Sequence, residues 1–190
     1  MGGRQSGERQ AGCPAPSDFP LPGNALDFFH QDHLRKREVC ARISRLSELE
    51  APDADEICDI MSFLTHELPP HLADEEQDLF PLLARRCRPE DEIEPVIARL
   101  AADHRRIRDR IPGILAVLKA ADPGGKAFSD EHRARLHRFS TDLLQHLILE
   151  YAIVLPFARL RLNRRDMGLL QKGMLRRRGL DRLLEACDAG

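Results

Sequence analysis

One pattern occurs twice in this sequence and constrains the fold more than any other feature. It is a histidine followed after four residues by a glutamate and after ten by a proline, and its copies occupy residues 71–81 and 146–156. Positions i and i+4 of a helix lie about 40° apart around the axis, so each histidine shares a face with its glutamate. The pattern therefore predicts two helices that each present a pair of metal-binding side chains.

The face that carries this pair is apolar. His146 and Glu150 fall in the same helical sector as Leu143, Leu147 and Val154, which must be the buried sector. An isolated carboxylate there would cost several kcal/mol and would protonate unless it were paired. A divalent cation removes that cost, and a carboxylate with two oxygens can bridge two cations. A metal-free hydrogen bond between histidine and glutamate is the alternative, and its repetition at matched positions argues against it.

A second motif, D-H-x-R-x-R, is also repeated, at residues 32–37 and 103–108. Its histidine precedes the next His-x-x-x-Glu by 38 residues in one half (33 to 71) and by 42 in the other (104 to 146). The chain thus reads as a helical hairpin used twice. Two hairpins packed about a pseudo-twofold axis would bring together a ligand set for two metal ions. That set is His33, His71, Glu75, His104, His146 and Glu150.

Composition and periodicity favour an all-α chain. There is no Trp and a single Tyr, and apolar residues recur at the helical period between clear breaks. We predict an up-down-up-down four-helix bundle, with an irregular helical array as the alternative. The predicted organisation is a disordered tail at 1–23, the bundle at 24–160 and a basic extension with a short extra helix at 161–190. Proline should bend or interrupt the second helix at Pro69-Pro70 and kink the third at Pro112.

Net charge and cysteine content limit the possible binding partners and the cellular location. A formal charge of −2 gives no bias toward nucleic acid or a membrane. No apolar run approaches the roughly 18–20 residues of a membrane span, and the N-terminus lacks a signal-peptide core. Five cysteines without a C-x-x-C motif argue against a disulfide framework and predict a cytoplasmic protein. The basic run at residues 176–178 is read as the solvated face of a packing helix, with an acidic protein partner as the alternative.

These residues resemble the hemerythrin-like (HHE cation-binding) family over roughly residues 24–160, most closely over residues 68–83. The resemblance implies a four-helix bundle that holds a non-haem di-iron centre, with the four histidines as terminal ligands and Glu75 and Glu150 as bridging carboxylates. Two iron ions, bridged by oxide or hydroxide, would keep room for an exogenous ligand such as a diatomic molecule or peroxide. Imidazole and carboxylate ligands also accommodate manganese.

The sequence departs from the oxygen-carrying members of that family. Those proteins place a second histidine four residues after the third-helix histidine and use aspartate in the last helix. Here Arg108 and Glu150 occupy those positions, which argues against simple oxygen carriage. The set of four His and two Glu is more similar to di-iron proteins of nitrosative stress and iron–sulfur cluster repair. Those proteins commonly carry an N-terminal cysteine-containing domain, whereas this chain has only Cys13 in its tail.

Three functions remain open at this point. The leading one is a non-enzymatic di-iron protein that binds or senses oxygen, nitric oxide or peroxide, or that stores or delivers iron. The second is a di-iron oxidoreductase consuming peroxide or nitric oxide, or a cluster-repair protein, in the oxidative or nitrosative stress response. The third is a metal-free helical interaction module.

Four further residues are candidates for indirect roles around the ligands. Arg37 and Arg108 each follow a ligand histidine by four residues, and either snorkels to solvent or hydrogen-bonds a bridging glutamate or a bound anion. His30 lies one turn before His33 and is an alternative ligand or an outer partner. Tyr151 adjoins Glu150 but projects about 100° away around the helix, so core packing is favoured there over a redox role.

Overall fold

A computed structural model describes residues 24–50, 52–121 and 128–180, and it is helical with no strand among those residues. The α-helices are α1 (Ala25–Glu48), α2 (Ala54–Ser62), α3 (Leu68–Asp74), α4 (Phe80–Arg86), α5 (Ile93–Lys119), α6 (Asp130–Leu149), α7 (Leu155–Arg161) and α8 (Arg164–Arg177). Three π-helical segments, Phe63–Glu67, Glu75–Leu79 and Glu150–Val154, join α2 to α3, α3 to α4 and α6 to α7, and a 3₁₀ turn covers Pro89–Asp91. Within the described residues the chain therefore forms five continuous helical rods. The predicted tail at 1–23 lies outside them.

Polar side chains cap the N-termini of three bundle helices. The Asn24 side chain accepts a hydrogen bond from the Leu26 backbone N–H at 3.0 Å, and the Asp53 side chain accepts one from the Glu56 N–H at 2.9 Å. Ser129 performs the same function at the start of α6. These contacts satisfy backbone donors that lack a partner in the first helical turn.

Each π segment ends two residues before a proline. The segments finish at Glu67, Leu79 and Val154, and Pro69, Pro81 and Pro156 follow them. Proline cannot donate the i→i−4 hydrogen bond and its ring crowds the carbonyl one turn back, so a wider turn accommodates it. The second helix is accordingly continuous across Pro69-Pro70. The third helix likewise continues through Pro112.

Four of the rods form the predicted four-helix bundle, with α8 as the extra helix. Helix α1 packs along α6, α5 packs on α6, α2 and α4 contact α5, and α8 lies against α1 and α3. The core divides into two apolar clusters. One contains Ile43, Leu72 and Leu147, and the other contains Phe29, Leu79 and Val154 with Leu170 and Met174 of α8. The predicted ligands fall between these clusters along each rod.

The rod formed by residues 130–161 is long and apolar enough, by length and composition, to cross a membrane. Charged residues such as Glu150 interrupt this rod, so the finding does not contradict the absence of an uninterrupted apolar run of that length. Two buried polar side chains of this rod, His146 and Glu150, face the bundle interior, and α1 and α5 pack against it. This is the arrangement of a core helix in a bundle.

The described cysteines are not all unpaired. Cys40 and Cys87 carry free thiols, whereas Cys58 is disulfide-bonded, so the sequence argument against disulfide bonds is wrong at Cys58. Burial raises the pKa of the Cys40 thiol to about 12. That thiol therefore stays protonated and unreactive at neutral pH.

Candidate metal centre

All six predicted ligand side chains meet in one polar layer between the two apolar clusters. Helix α1 contributes His33, α3 contributes His71, α5 contributes His104 and α6 contributes His146, while Glu75 and Glu150 open two of the π segments. None of the six is more than 2% exposed. The prolines that follow therefore place a widened turn where each glutamate enters the layer.

The first ligand group comprises His33, His71 and one oxygen from each glutamate. His71 Nε2 lies 3.3 Å from Glu75 Oε1. His33 Nε2 lies 3.6 Å from the same oxygen and 3.4 Å from Glu150 Oε2. The ligand atoms of this group all lie within 4.8 Å of one another, close enough for a single ion to contact them together.

The second group comprises His104, His146 and the remaining glutamate oxygens. His104 Nε2 lies 3.3 Å from Glu75 Oε2 and 3.6 Å from Glu150 Oε1. His146 Nε2 lies 2.6 Å from Glu150 Oε1 and 3.0 Å from His104 Nε2. Each glutamate thus presents one oxygen to each histidine pair, which is the arrangement of a bridging carboxylate.

The protein leaves these donor atoms without partners of its own. Both oxygens of Glu75 and of Glu150, and both ring nitrogens of His33, form no hydrogen bond among the described residues. Buried polar atoms are hydrogen-bonded in nearly all native structures, because an orphaned one costs roughly 1–3 kcal/mol. Two cations between the histidine pairs would satisfy all of these atoms except His33 Nδ1, so the residues present fit a two-metal site.

The pKa shifts of the ligand side chains also agree with a two-metal site. Burial alone would raise the pKa of Glu75, but His71, His104 and His33 hold it well below its ordinary value. Burial alone would lower the pKa of both His71 and His104. Glu75 and Asp32 raise the pKa of His71 to about 9, and Glu150 and Glu75 raise the pKa of His104 to about 10. In the metal-free protein, protons on imidazole balance the carboxylates, and a metal ion must displace those protons to bind.

Three carboxylates that sequence reasoning missed face the outer nitrogens of the histidines. Asp32 Oδ2 lies 2.8 Å from His71 Nδ1, and Asp103 Oδ2 lies 3.8 Å from His146 Nδ1. His104 Nδ1 is hydrogen-bonded to Glu76 Oε1 at 2.9 Å. Carboxylates in this position fix the ring orientation and increase the basicity of the ligand nitrogen. Two of them were visible in the sequence as the Asp of each D-H-x-R-x-R motif.

Arg37 and Arg108 occupy equivalent positions in the repeat but make different contacts. Arg108 donates a hydrogen bond to Glu76, so it acts on His104 through that carboxylate and contacts no bridging glutamate. Arg37 is exposed and makes none of the contacts around the ligands. The buried cation of this motif is instead Lys36, which is 0% exposed and pairs with Asp32.

His30 and Tyr151 lie together outside both ligand groups. Their ring centroids are 5.5 Å apart. Tyr151 is 42% exposed, so the expectation that it packs in the core is wrong. The rings that pack on the ligands are Phe29, with its centroid 5.5 Å from that of His71, and Phe80, stacked 5.6 Å from His104.

The basic C-terminal run is used inside the molecule. Arg177 Nε donates to Asp74 Oδ1 at 2.6 Å and Arg178 Nη2 donates to Asp74 Oδ2 at 2.6 Å. Asp74 is completely buried and directly precedes Glu75. The structure therefore favours the reading of this segment as a packing helix, with Arg176 left exposed.

The fold and the site define a helical-bundle protein with a buried His/Glu cluster suited to cations. The sequence model of the Hemerythrin HHE cation binding domain matches residues 24–158. This chain therefore belongs to the hemerythrin HHE cation-binding family, as its motifs indicated. Neither a search of curated proteins nor a search of solved structures found a match.

Proposed function

We propose that this protein is a non-haem di-iron protein that binds or senses a small ligand, namely oxygen, nitric oxide or peroxide, or that handles iron. The observation that carries the proposal is the sharing of Glu75 and Glu150 between two histidine pairs. The four oxygens of these two carboxylates have no hydrogen-bond partner in the part of the chain that the structure describes. Membership of a cation-binding family supports the same conclusion.

The donor chemistry favours iron, with manganese as the alternative. Each proposed position offers two imidazole nitrogens and two carboxylate oxygens, and no thiolate lies in either group. Nitrogen and oxygen donors of this kind suit Fe and Mn, whereas thiolate sets favour zinc or iron–sulfur clusters. Iron would supply redox chemistry and affinity for diatomic molecules.

The surrounding residues restrict what else enters. The rings of Phe29 and Phe80 pack on ligand imidazoles, and Leu72, Leu79 and Leu147 are at most 1% exposed beside the layer. A close-packed apolar shell of this kind excludes bulky substrates and holds water out of the site. The ligand we propose is accordingly a diatomic molecule or peroxide.

Metal analysis of the purified, iron-reconstituted full chain tests the proposal. We expect about two iron atoms per chain, with at least one lost in His71→Ala and at least one lost in His146→Ala. His66→Ala is the matched control, because His66 is exposed and should leave the iron content unchanged. A wild-type protein that binds no metal would instead support the helical interaction module.

Ligand assays on the iron-loaded protein separate the remaining alternatives. Changes in visible absorbance on adding nitric oxide or azide, without consumption of the ligand, would support a binding or sensing role. Catalytic turnover of peroxide or nitric oxide would support the oxidoreductase of the stress response. A soluble protein agrees with family membership, and its cytoplasmic location stays a prediction.

A further inference from the structure

The two halves of the site differ at positions that the internal repeat makes equivalent. Aligning His33 with His104 places Lys36 opposite Ile107, and aligning His71 with His146 places Glu76 opposite Tyr151. All four ligand histidines are matched between the halves, but these outer positions are not. The halves therefore offer the same donors to a cation in different electrostatic surroundings.

Lys36 puts a buried positive charge on the His33–His71 side. Its side chain is 0% exposed and its ammonium pairs with Asp32, the carboxylate 2.8 Å from His71 Nδ1. Ile107 is a neutral apolar residue at the equivalent position and is 4% exposed. A charge in the interior is weakly screened, so the Lys36 ammonium opposes a cation held by His33 and His71.

The positive charges on the His104–His146 side are exposed to solvent. Arg106 pairs with Asp103 and is 62% exposed, and Arg108 pairs with Glu76 and is 40% exposed. Water and salt screen exposed charges strongly. The carboxylates near His104 and His146 therefore keep more of their attraction for a cation than Asp32 does.

Hydrogen bonding to the outer nitrogens adds to this difference. His104 Nδ1 is hydrogen-bonded to Glu76 at 2.9 Å. The equivalent nitrogen, His33 Nδ1, is buried and has no partner among the described residues. Partners of this kind orient a ligand imidazole and strengthen it as a donor, so His33 is the least supported of the four histidines.

We propose that the two metal positions bind with unequal affinity, that the His104–His146 position fills first, and that Lys36 weakens the His33–His71 position. This inference rests on the proposed function, because it requires a two-metal site. Lys36 is a positioning residue here, since it acts on the metal through Asp32 and through its own charge. The protein then holds one ion firmly and a second ion that it releases more readily.

Anaerobic titration of the metal-free full chain with Mn²⁺, followed by native mass spectrometry, resolves the two steps. In the wild-type protein we expect the one-metal species to exceed the half of the population that two equal and independent positions would give at midpoint. His33→Ala should keep the tight step and His104→Ala should keep only the weak one, with Mn²⁺ dissociation constants differing about tenfold or more. Equal constants in these two variants, or the reverse order, would overturn the proposal.

Lys36→Met tests the cause of the inequality. We expect the second dissociation constant to fall by about tenfold while the first is unchanged, so that the one-metal species diminishes. A purely structural role for Lys36 would weaken both steps together, and unchanged constants would also exclude the proposed effect. If circular dichroism shows that Lys36→Met does not fold, Lys36→Gln provides the same neutralisation with a polar end. Failure of the wild-type protein to bind Mn²⁺ or Fe²⁺ at all would count against the proposed function itself.

Discussion

Asp74 and Glu75 are adjacent in sequence and equally buried, yet their charges are compensated in different ways. Asp74 accepts hydrogen bonds from Arg177 and Arg178, both at 2.6 Å. Within residues 24–50, 52–121 and 128–180, neither oxygen of Glu75 has a hydrogen-bond partner, and both face imidazole nitrogens at 3.3–3.6 Å. The fold thus neutralises one carboxylate with its own C-terminal helix and leaves the next for a cation. The comparison separates a structural charge cluster from a binding one.

Replacing Glu75 should produce the largest effect on metal binding. Glu75→Leu removes a carboxylate shared by both ligand groups, so we expect the iron content to fall from about two per chain to nearly none. The free energy of unfolding of the metal-free protein should stay the same or rise, because a buried charge gives way to a side chain of similar volume. Metal analysis and denaturant unfolding check both parts, and iron retained near two per chain would contradict the bridging role.

Replacing Asp74 should lower stability and leave iron binding intact. Asp74→Asn removes the buried carboxylate that Arg177 and Arg178 share, although Arg177 keeps its ion pair with Asp78. We expect the free energy of unfolding to fall on the order of 3 kcal/mol, with iron still bound in the folded protein. Asp55→Asn, at an exposed position, is the matched control and should change stability by less than about 0.5 kcal/mol. Equal loss in the two variants would show that the Asp74 cluster is not structural.

Metal addition should distinguish the same pair of residues by thermal unfolding. A free metal concentration a hundredfold above Kd stabilises the folded state by about 2.7 kcal/mol for each occupied position. The melting temperature should therefore rise with metal in the wild-type protein and in Asp74→Asn, and fall again on chelation. Glu75→Leu should show no rise, and a rise there would mean that the metal binds elsewhere.

Gly173 of α8 lies against the ion pair between Arg177 and Asp78, so a methyl group added there would have to displace the ends of these two side chains. A Cβ there would lie 2.8 Å from Asp78 Cγ and 2.9 Å from Arg177 Nη2. We expect Gly173→Ala to destabilise by about 1 kcal/mol, because overpacking outweighs the gain in helix propensity. Gly168→Ala, in the same helix with nothing within 4 Å of its Cβ, should stabilise by up to about 1 kcal/mol. Denaturant midpoints that move in the same direction would refute the close approach.

Acid should slightly weaken the contact between Asp166 of α8 and Arg86 of α4. Hydrogen bonds from Arg86 to Asp166 hold the pKa of that carboxyl below its ordinary value. A depressed folded-state pKa contributes stability above the unfolded value of 3.8, and this is lost as pH falls through the folded-state pKa. Thermal unfolding between pH 7 and pH 2 should show a shallower acid loss in Asp166→Asn than in wild type. Asp109→Asn, exposed on α5, should keep the wild-type slope.

The helical fold could be predicted from local sequence patterns. Helix starts followed from Asn24, Asp53 and Ser129, because a cap depends only on residues within one turn. Prolines at fixed offsets were visible, but their effect was not, since a helix can either break or widen at proline depending on what packs around it. The structure has π turns just before Pro69, Pro81 and Pro156, and the apolar residues on either side of each turn stay buried.

The sequence by itself selected the six side chains that meet in the polar layer. Buried His and Glu at helical spacing, repeated between two hairpins, have few uses other than holding cations, so His71, Glu75, His146 and Glu150 could be selected from the pattern alone. His33 followed from the repeat in the same way. This success depends on local periodicity, which every helix imposes on its own residues.

Only the tertiary structure decided which residues surround those ligands. Asp32 meets His71 from another helix, and Lys36 lies in the core although its motif is rich in exposed arginines. The use of α8 to neutralise Asp74 while Glu75 stays open joins residues about 100 positions apart in sequence. Such contacts depend on how helices pack against one another. Helical periodicity indicates which face of a helix is buried, but not which residues of another helix will contact it.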